Sequence, residues 1–168
     1  KLGIKKLDQS IAKLLNNNSP EMIIIETSGS CHPMPLVKYF KNHKKIRLTG
    51  VFVLVDSAMI AHDFNCGKNL IPIVKQNIIS GRRDIVNLLV EQILFCSHLI
   101  LTKGDKVKNN QLQDIATQVQ QINPYASTHS VIFGKLLLDS LFEIKDYNFL
   151  NVEKLFGELQ YDLVKEEN

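Results

Sequence analysis

The sequence predicts an α/β fold, a mostly parallel sheet with helices on both faces. Three observations predict it. Four short runs read as strands: EMIIIE (21–26) and GVFVLVD (50–56), apolar enough to suit burial on both faces, then HLILTK (98–103) and STHSVIF (127–133). Stretches with apolar residues at helical spacing lie between them, and strands alternating with helices of ten or more residues imply parallel pairing. The first two runs end on acids, Glu26 and Asp56, and the third runs into the turn TKGD. Parallel sheets hold their ligands at the carboxyl ends of strands, so these three features are expected on one edge.

The elements follow in chain order. Ile4, Leu7, Ile11, Leu14 and Leu15 recur at helical spacing until NNNSP stops the helix. The first strand, 21–26, breaks into the small-residue loop TSGSCHP. Pro35 suits the first turn of a short helix carrying Leu36, Val37 and Phe40 inward. After the second strand, residues 57–83 are polar, with Gly67, Pro72 and Gly81, and read as a long irregular excursion. From Asp84 a helix places Ile85, Leu88, Leu89, Gln92, Ile93 and Cys96 on one stripe. A helix from about Asn110 follows the third strand, and Pro124 ends it. Helical stretches at Leu136–Ile144 and Val152–Val164 close the chain.

Size and composition exclude several classes. With 168 residues, 45% hydrophobic and 22% charged, the chain suits one globular domain with a sizeable core. A net charge of +3 gives no argument for nucleic acid, and the basic stretch 38–47, with five Lys or Arg, reads as a solvated helix face and turn. Cys31, Cys66 and Cys96 are odd in number and lack CxxC spacing, which points to reduced thiols and a cytoplasmic setting. No apolar run approaches the roughly 18 residues that span a bilayer, so no membrane partner is expected.

The stretch LILTKGDKV (99–107) carries the most specific chemistry. A strand ending in Thr-Lys-x-Asp matches the base-reading loop of GTPases, usually written NKxD. Guanine presents N1–H and its 2-amino group as adjacent donors, and one ionised carboxylate accepts both. Asp105 would do this, Lys103 would lie along base and ribose with its aliphatic stem, and Thr102 replaces the usual Asn. Taken alone, the tetrapeptide also fits a simple turn with a helix N-cap. At the other end, Glu26 can hold a metal-bound water, because Mg²⁺ keeps several waters in its shell. Gly29 lets the backbone approach a phosphate and swing when it is lost.

Together MIIIETSGSCHPMPLV, GVFVLVDS, EQILFCSHLILTKGD and INPYASTHSVIFG resemble, in order and spacing, the CobW family of metal-trafficking GTPases, relatives of the nickel-insertion GTPases of urease and hydrogenase. The resemblance covers roughly residues 5–145. Glu26 and Gly29 match the family's E-[ST]-[ST]-G, Asp56 its strand-end acid, Gln92 the glutamine of Q-I-x-x-[AS]-D, and Lys103 and Asp105 its guanine motif. Asn123-Pro124 matches the turn before the last strand. Cys31-His32-Pro33 departs from the small–Asp–Pro turn, and Ser97-His98 from the Asp-containing pair. The resemblance implies a P-loop-NTPase-like sheet, catalytic Glu26 and Gly29, guanine binding by Thr102, Lys103 and Asp105, the cofactors GTP and Mg²⁺, Zn²⁺ or Co²⁺ as cargo, and a metal-receiving apoprotein as partner.

The phosphate cradle G-x-x-x-x-G-K-[ST] is missing. Gly67-Lys68 has His62 five residues earlier and Asn69 after it; Gly134-Lys135 has His129 where the first glycine belongs. By the resemblance, the family's first strand, its cysteine-rich metal motif and most of its C-terminal domain are absent as well. The expected arrangement is therefore an incomplete GTPase domain over 1–146, with 147–168 a terminal helix or the start of the C-terminal region. A start at KLGIKK without Met favours an internal segment of a longer protein. The rival is a naturally shortened, non-enzymatic metal-binding or protein-interaction module. Without the first strand the sheet exposes edges, which makes homo-oligomerisation or a partner strand an expectation. The candidate metal ligands are Cys31 and His32 in the loop after Glu26, with His62 and Cys66, four apart, as a second pair. Asp56 either shapes the metal side or is structural.

Overall fold

The computed structural model describes residues 2–18, 20–136 and 146–166. Its elements are α1 (Leu2–Asn18), α2 (Pro33–Lys41), β1 (Phe52–Asp56), α3 (Ser57–Asp63), α4 (Leu70–Ile79), α5 (Ile85–Phe95), β2 (His98–Thr102), α6 (Asn109–Ile122), β3 (Ser127–Ser130) and α7 (Phe149–Glu166). Short 3₁₀ turns occupy Asn65–Gly67 and Gly104–Lys106. The fold is α/β, as expected. The strands form one parallel sheet in the order β1-β2-β3, with Val53 beside Leu99, Val55 beside Leu101 and Asp56 beside Thr102.

One face of this sheet builds the core. Val55, Leu99 and Leu101, each 1% exposed or less, pack with Ile60 of α3, Leu70 and Val74 of α4, Val90 and Ile93 of α5 and Ile115 and Val119 of α6. Burying one such aliphatic side chain contributes about 1.5–3 kcal/mol, so this cluster dominates the stability of the fold. A smaller cluster joins Val37 of α2 to Phe95, Tyr147 and Val152, and brings α7 onto α5.

The strand expected at 21–26 does not form. The chain there has no ladder partner, and Met22, Ile24 and Ile25 are 48%, 81% and 38% exposed. An apolar run becomes a strand only when a neighbour takes up its N–H and C=O groups; β1 pairs with β2 alone, and residues 21–26 do not pair with its open outer side. β1 is also buried on one face only. Phe52 and Leu54 are 40% and 67% exposed on the other, where burial on both faces was expected.

The supposed excursion 57–83 is also ordered. Asp56 caps α3, its Oδ1 accepting from the N–H groups of Ala58 (3.0 Å) and Met59 (3.2 Å). Pro72 sits in the first turn of α4, where its missing N–H costs nothing. Between them Gly67 adopts φ +94°, and a Cβ there would stand 2.9 Å from Gln118 Cβ, so only glycine lets this turn reach α6. The helix expected from Asp84 forms, and Asp84 is its N-cap. The predicted helix at Leu136–Ile144 falls almost wholly outside the described residues. No described helix is long and apolar enough to cross a membrane.

Candidate nucleotide site at the strand C-terminal edge

Parallel register sets the site. Asp56 and Thr102 end adjacent strands side by side, and the chain after each must turn at the same edge. Thr102 Oγ1 donates to the Val55 carbonyl (3.0 Å), tying the end of β2 to β1. Lys103 then takes the left-handed conformation, φ 56°, and the turn closes with Lys106 N–H on the Lys103 carbonyl (2.9 Å). Gly104, buried, donates its N–H to the carbonyl of Val131 (3.3 Å), which seats the turn against the end of β3. Beyond Val131, Ile132–Lys135 close a tight turn with positive φ at both Phe133 and Gly134.

Within this frame Lys103 Nζ lies 2.5 Å from Asp56 Oδ2. The ammonium beside it holds the Asp56 carboxyl below its ordinary range, helped by the two α3 amides. Asp56 therefore has a structural role, as helix cap and as anchor for Lys103. A lowered carboxylate stabilises the fold above the ordinary range, and that stabilisation is lost as pH falls through the folded-state value. Lys103→Ala is expected to return the Asp56 titration toward 3.8, which carboxyl NMR on acidification measures directly.

Asp105 lies beside Lys106 Nζ at 3.5 Å, its sole ion-pair partner among the described residues. Its oxygens remain available to paired donors such as N1–H and the 2-amino group of guanine. A cleft of about 210 Å³ lies at the opposite edge, lined by Ser97, His98 and Ser127 where the strands begin.

Glu26 and Gly29 are placed differently. No hydrogen bond or ion pair among the described residues joins them to Thr102, Lys103 or Asp105. Instead the loop rests on α5. Gln92 Nε2 donates to the carbonyls of Gly29 (2.9 Å) and Cys31 (3.2 Å), and Glu91 Oε2 lies 3.2 Å from His32 Nδ1. Glu26 is exposed, and a Cβ on Gly29 would meet nothing within 4 Å, so the fold itself does not demand a glycine there. Cys31 is half-buried and next to His32, while no group of three or more His, Cys, Asp or Glu residues that could hold a metal occurs among the described residues. The second candidate pair divides, because Cys66 is buried whereas His62 is turned to solvent beside Asp63.

Sequence reasoning missed Glu91, although an acid inside VEQILF, next to buried Val90, is itself a signal. It also read Asn123 only as part of a turn. Asn123 is 2% exposed, and its amide donates to the carbonyls of Ile93 (2.8 Å), Leu94 (3.3 Å) and Cys96 (2.9 Å) at the end of α5.

A parallel sheet whose carboxyl edge carries a Thr-Lys-x-Asp turn, held by a strand-end acid, defines a nucleotide-binding α/β domain. Residues 4–130 match the family described as "CobW/HypB/UreG, nucleotide-binding domain", and the chain belongs to that family. It is 28% identical over 149 residues to the "Zinc-regulated GTPase metalloprotein activator 1" of Dictyostelium discoideum. That alignment takes in 80% of this chain and 31% of the relative, so the chain spans about a third of the curated protein it matches. No solved structure matches it significantly.

Proposed function

We propose that this chain is the base-reading part of a GTP-binding, GTP-hydrolysing metallochaperone that couples hydrolysis to zinc or cobalt delivery. The observation that carries the proposal is the TKGD turn, seated on β3 through Gly104 and braced by the Lys103–Asp56 pair at the sheet edge. Family membership and the printed name of the relative support it. In this reading Asp105 accepts from guanine N1–H and the 2-amino group. Lys103 leaves or shares Asp56 to lie along the base, and Thr102 holds the loop to β1.

Glu26 and Gly29 sense the γ-phosphate and its Mg²⁺. The exposed Glu26 carboxylate, without an ion pair among the described residues, fits a water-mediated Mg²⁺ contact, and the ion when bound would neutralise developing phosphate charge. Cys31 and His32 are the candidate cargo ligands, and a metal-receiving apoprotein is the partner. The phosphate cradle comes from chain outside these 168 residues, with 1–146 its GTPase portion and 147–168 opening the C-terminal region. Three free thiols suit a cytoplasmic setting.

The rival reading, a non-enzymatic module, is favoured by the absence of G-x-x-x-x-G-K-[ST] within the chain. Competition against a fluorescent guanine nucleotide separates the two. The expected result is weak binding with guanine preferred over adenine and negligible turnover, because a backbone amide nest and its lysine supply most phosphate affinity. Equal displacement by adenine and guanine nucleotides rejects the base-reading role. Turnover at ordinary GTPase rates by these 168 residues alone rejects the assignment of the phosphate site to another segment.

A further inference from the structure

Gln92 and Glu91 are consecutive on α5, and consecutive helix residues diverge by about 100°. Both nevertheless reach one loop, so residues 29–32 are laid across the helix. The Gln92 amide carries two hydrogens, and two carbonyls receive them, those of Gly29 and Cys31. Glu91 is 7% exposed, and a buried carboxylate is costly without partners. Its partners are His32 Nδ1 at 3.2 Å and Arg83 Nη2 at 3.7 Å. Among the described residues no other hydrogen bond ties 26–32 to the rest of the fold; the Cys31 N–H to Ser28 carbonyl bond is internal to the loop.

A trans peptide is planar, with its N–H opposite its C=O. Turning the Gly29 and Cys31 carbonyls toward α5 therefore turns the N–H groups of Ser30 and His32 away from it. Two backbone donors on one side of a loop, just after an acid, make a surface for phosphate oxygens. We propose that Gln92, backed by Glu91, is a positioning residue that sets the peptide orientation of residues 29–32 and so aims the Ser30 and His32 amides at a phosphate. Its functional meaning rests on the reading of this loop as the γ-phosphate sensor; its geometry does not.

Cys31 reports on the loop. It is half-buried, whereas Cys66 and Cys96 are buried, and burial pushes the Cys96 thiol up to about 12, which silences it toward thiol reagents. The test is the rate at which a disulfide reagent such as DTNB labels Cys31 in the nucleotide-free chain, with the modified residue identified by mass spectrometry. Gln92→Ala and the isosteric Gln92→Glu, which has no donor, are each expected to raise that rate roughly 5- to 30-fold, the population change for one to two kcal/mol of loop anchoring. Glu91→Gln keeps an oxygen for His32 and is expected to react at the parent rate. Parent-like rates in both Gln92 variants overturn the proposal. So does a rise shared by Cys66 and Cys96, which marks unfolding. Because no nucleotide is present, faster labelling together with absent guanine binding leaves the positioning role standing and removes the functional reading alone.

Discussion

Asn123→Ala is expected to lower the thermal midpoint by roughly 6–12 °C. The side-chain amide of Asn123 gathers three carbonyls at the end of α5, its own N–H donates to Val119, and its Oδ1 accepts from Tyr125 N–H (3.1 Å). One side chain thus joins the last turn of α5, the entry to β2 and the exit of α6. Truncation removes this donor from the Leu94 and Cys96 carbonyls, while that of Ile93 keeps the Cys96 N–H, and the loss is about 1–3 kcal/mol for each group that water cannot reach. A net loss near 3 kcal/mol follows once some relaxation is allowed, and a domain of this size shifts about 2–4 °C per kcal/mol. Asn123→Asp separates hydrogen bonding from volume. It keeps the shape but turns a carboxylate oxygen toward those carbonyls, so it is expected to be at least as damaging. Calorimetry placing either variant within 2 °C of the parent would show that the hub contributes little.

Asp105→Asn is expected to reduce guanine-nucleotide affinity roughly 10- to 150-fold with the phosphate cradle in place, leaving adenine nucleotides unchanged. A charge-assisted hydrogen bond contributes about 1.5–3 kcal/mol, and each 1.4 kcal/mol is tenfold in affinity. The amide keeps one acceptor but sets an NH₂ donor against a guanine donor. The same NH₂ pairs with a base carrying a carbonyl at that position, so the variant is expected to gain affinity for xanthine nucleotides. That gain makes the test specific, since a merely misfolded loop would lose every base alike. Isothermal titration with GDP, ADP and XDP reads all three. An unchanged GDP affinity would remove Asp105 from base recognition.

Much of this architecture was legible. The stripe Leu112, Ile115, Ala116, Val119 and Ile122 announced α6, and the apolar stripe from Ile85 announced α5, because a strong 3.6-residue period is a signal local in sequence. HLILT read as a strand and is one. The Thr102–Asp105 turn was visible because its chemistry is local in sequence. What failed depended on distant partners. MIII has the composition of a strand but no neighbour to pair with. Asp56 stayed open between two roles because its partners Lys103 and the α3 amides are visible only in space, and Pro72 looked like a breaker because first-turn position cannot be read before the helix start is known. The grip of α5 on the 29–32 loop joins residues about sixty positions apart, and no local pattern reports it.

Parallel pairing has a consequence during synthesis. Phe52 aligns with His98, so β1 has no ladder until 46 further residues have been translated. At about 5–20 residues per second that interval lasts roughly 2–9 s on the ribosome. During it a nascent FVLVD segment, with MIII not far ahead of it, offers apolar backbone to whatever arrives first. Until β2 is made, the apolar segments between residues 22 and 56 therefore have no sheet partner within the chain.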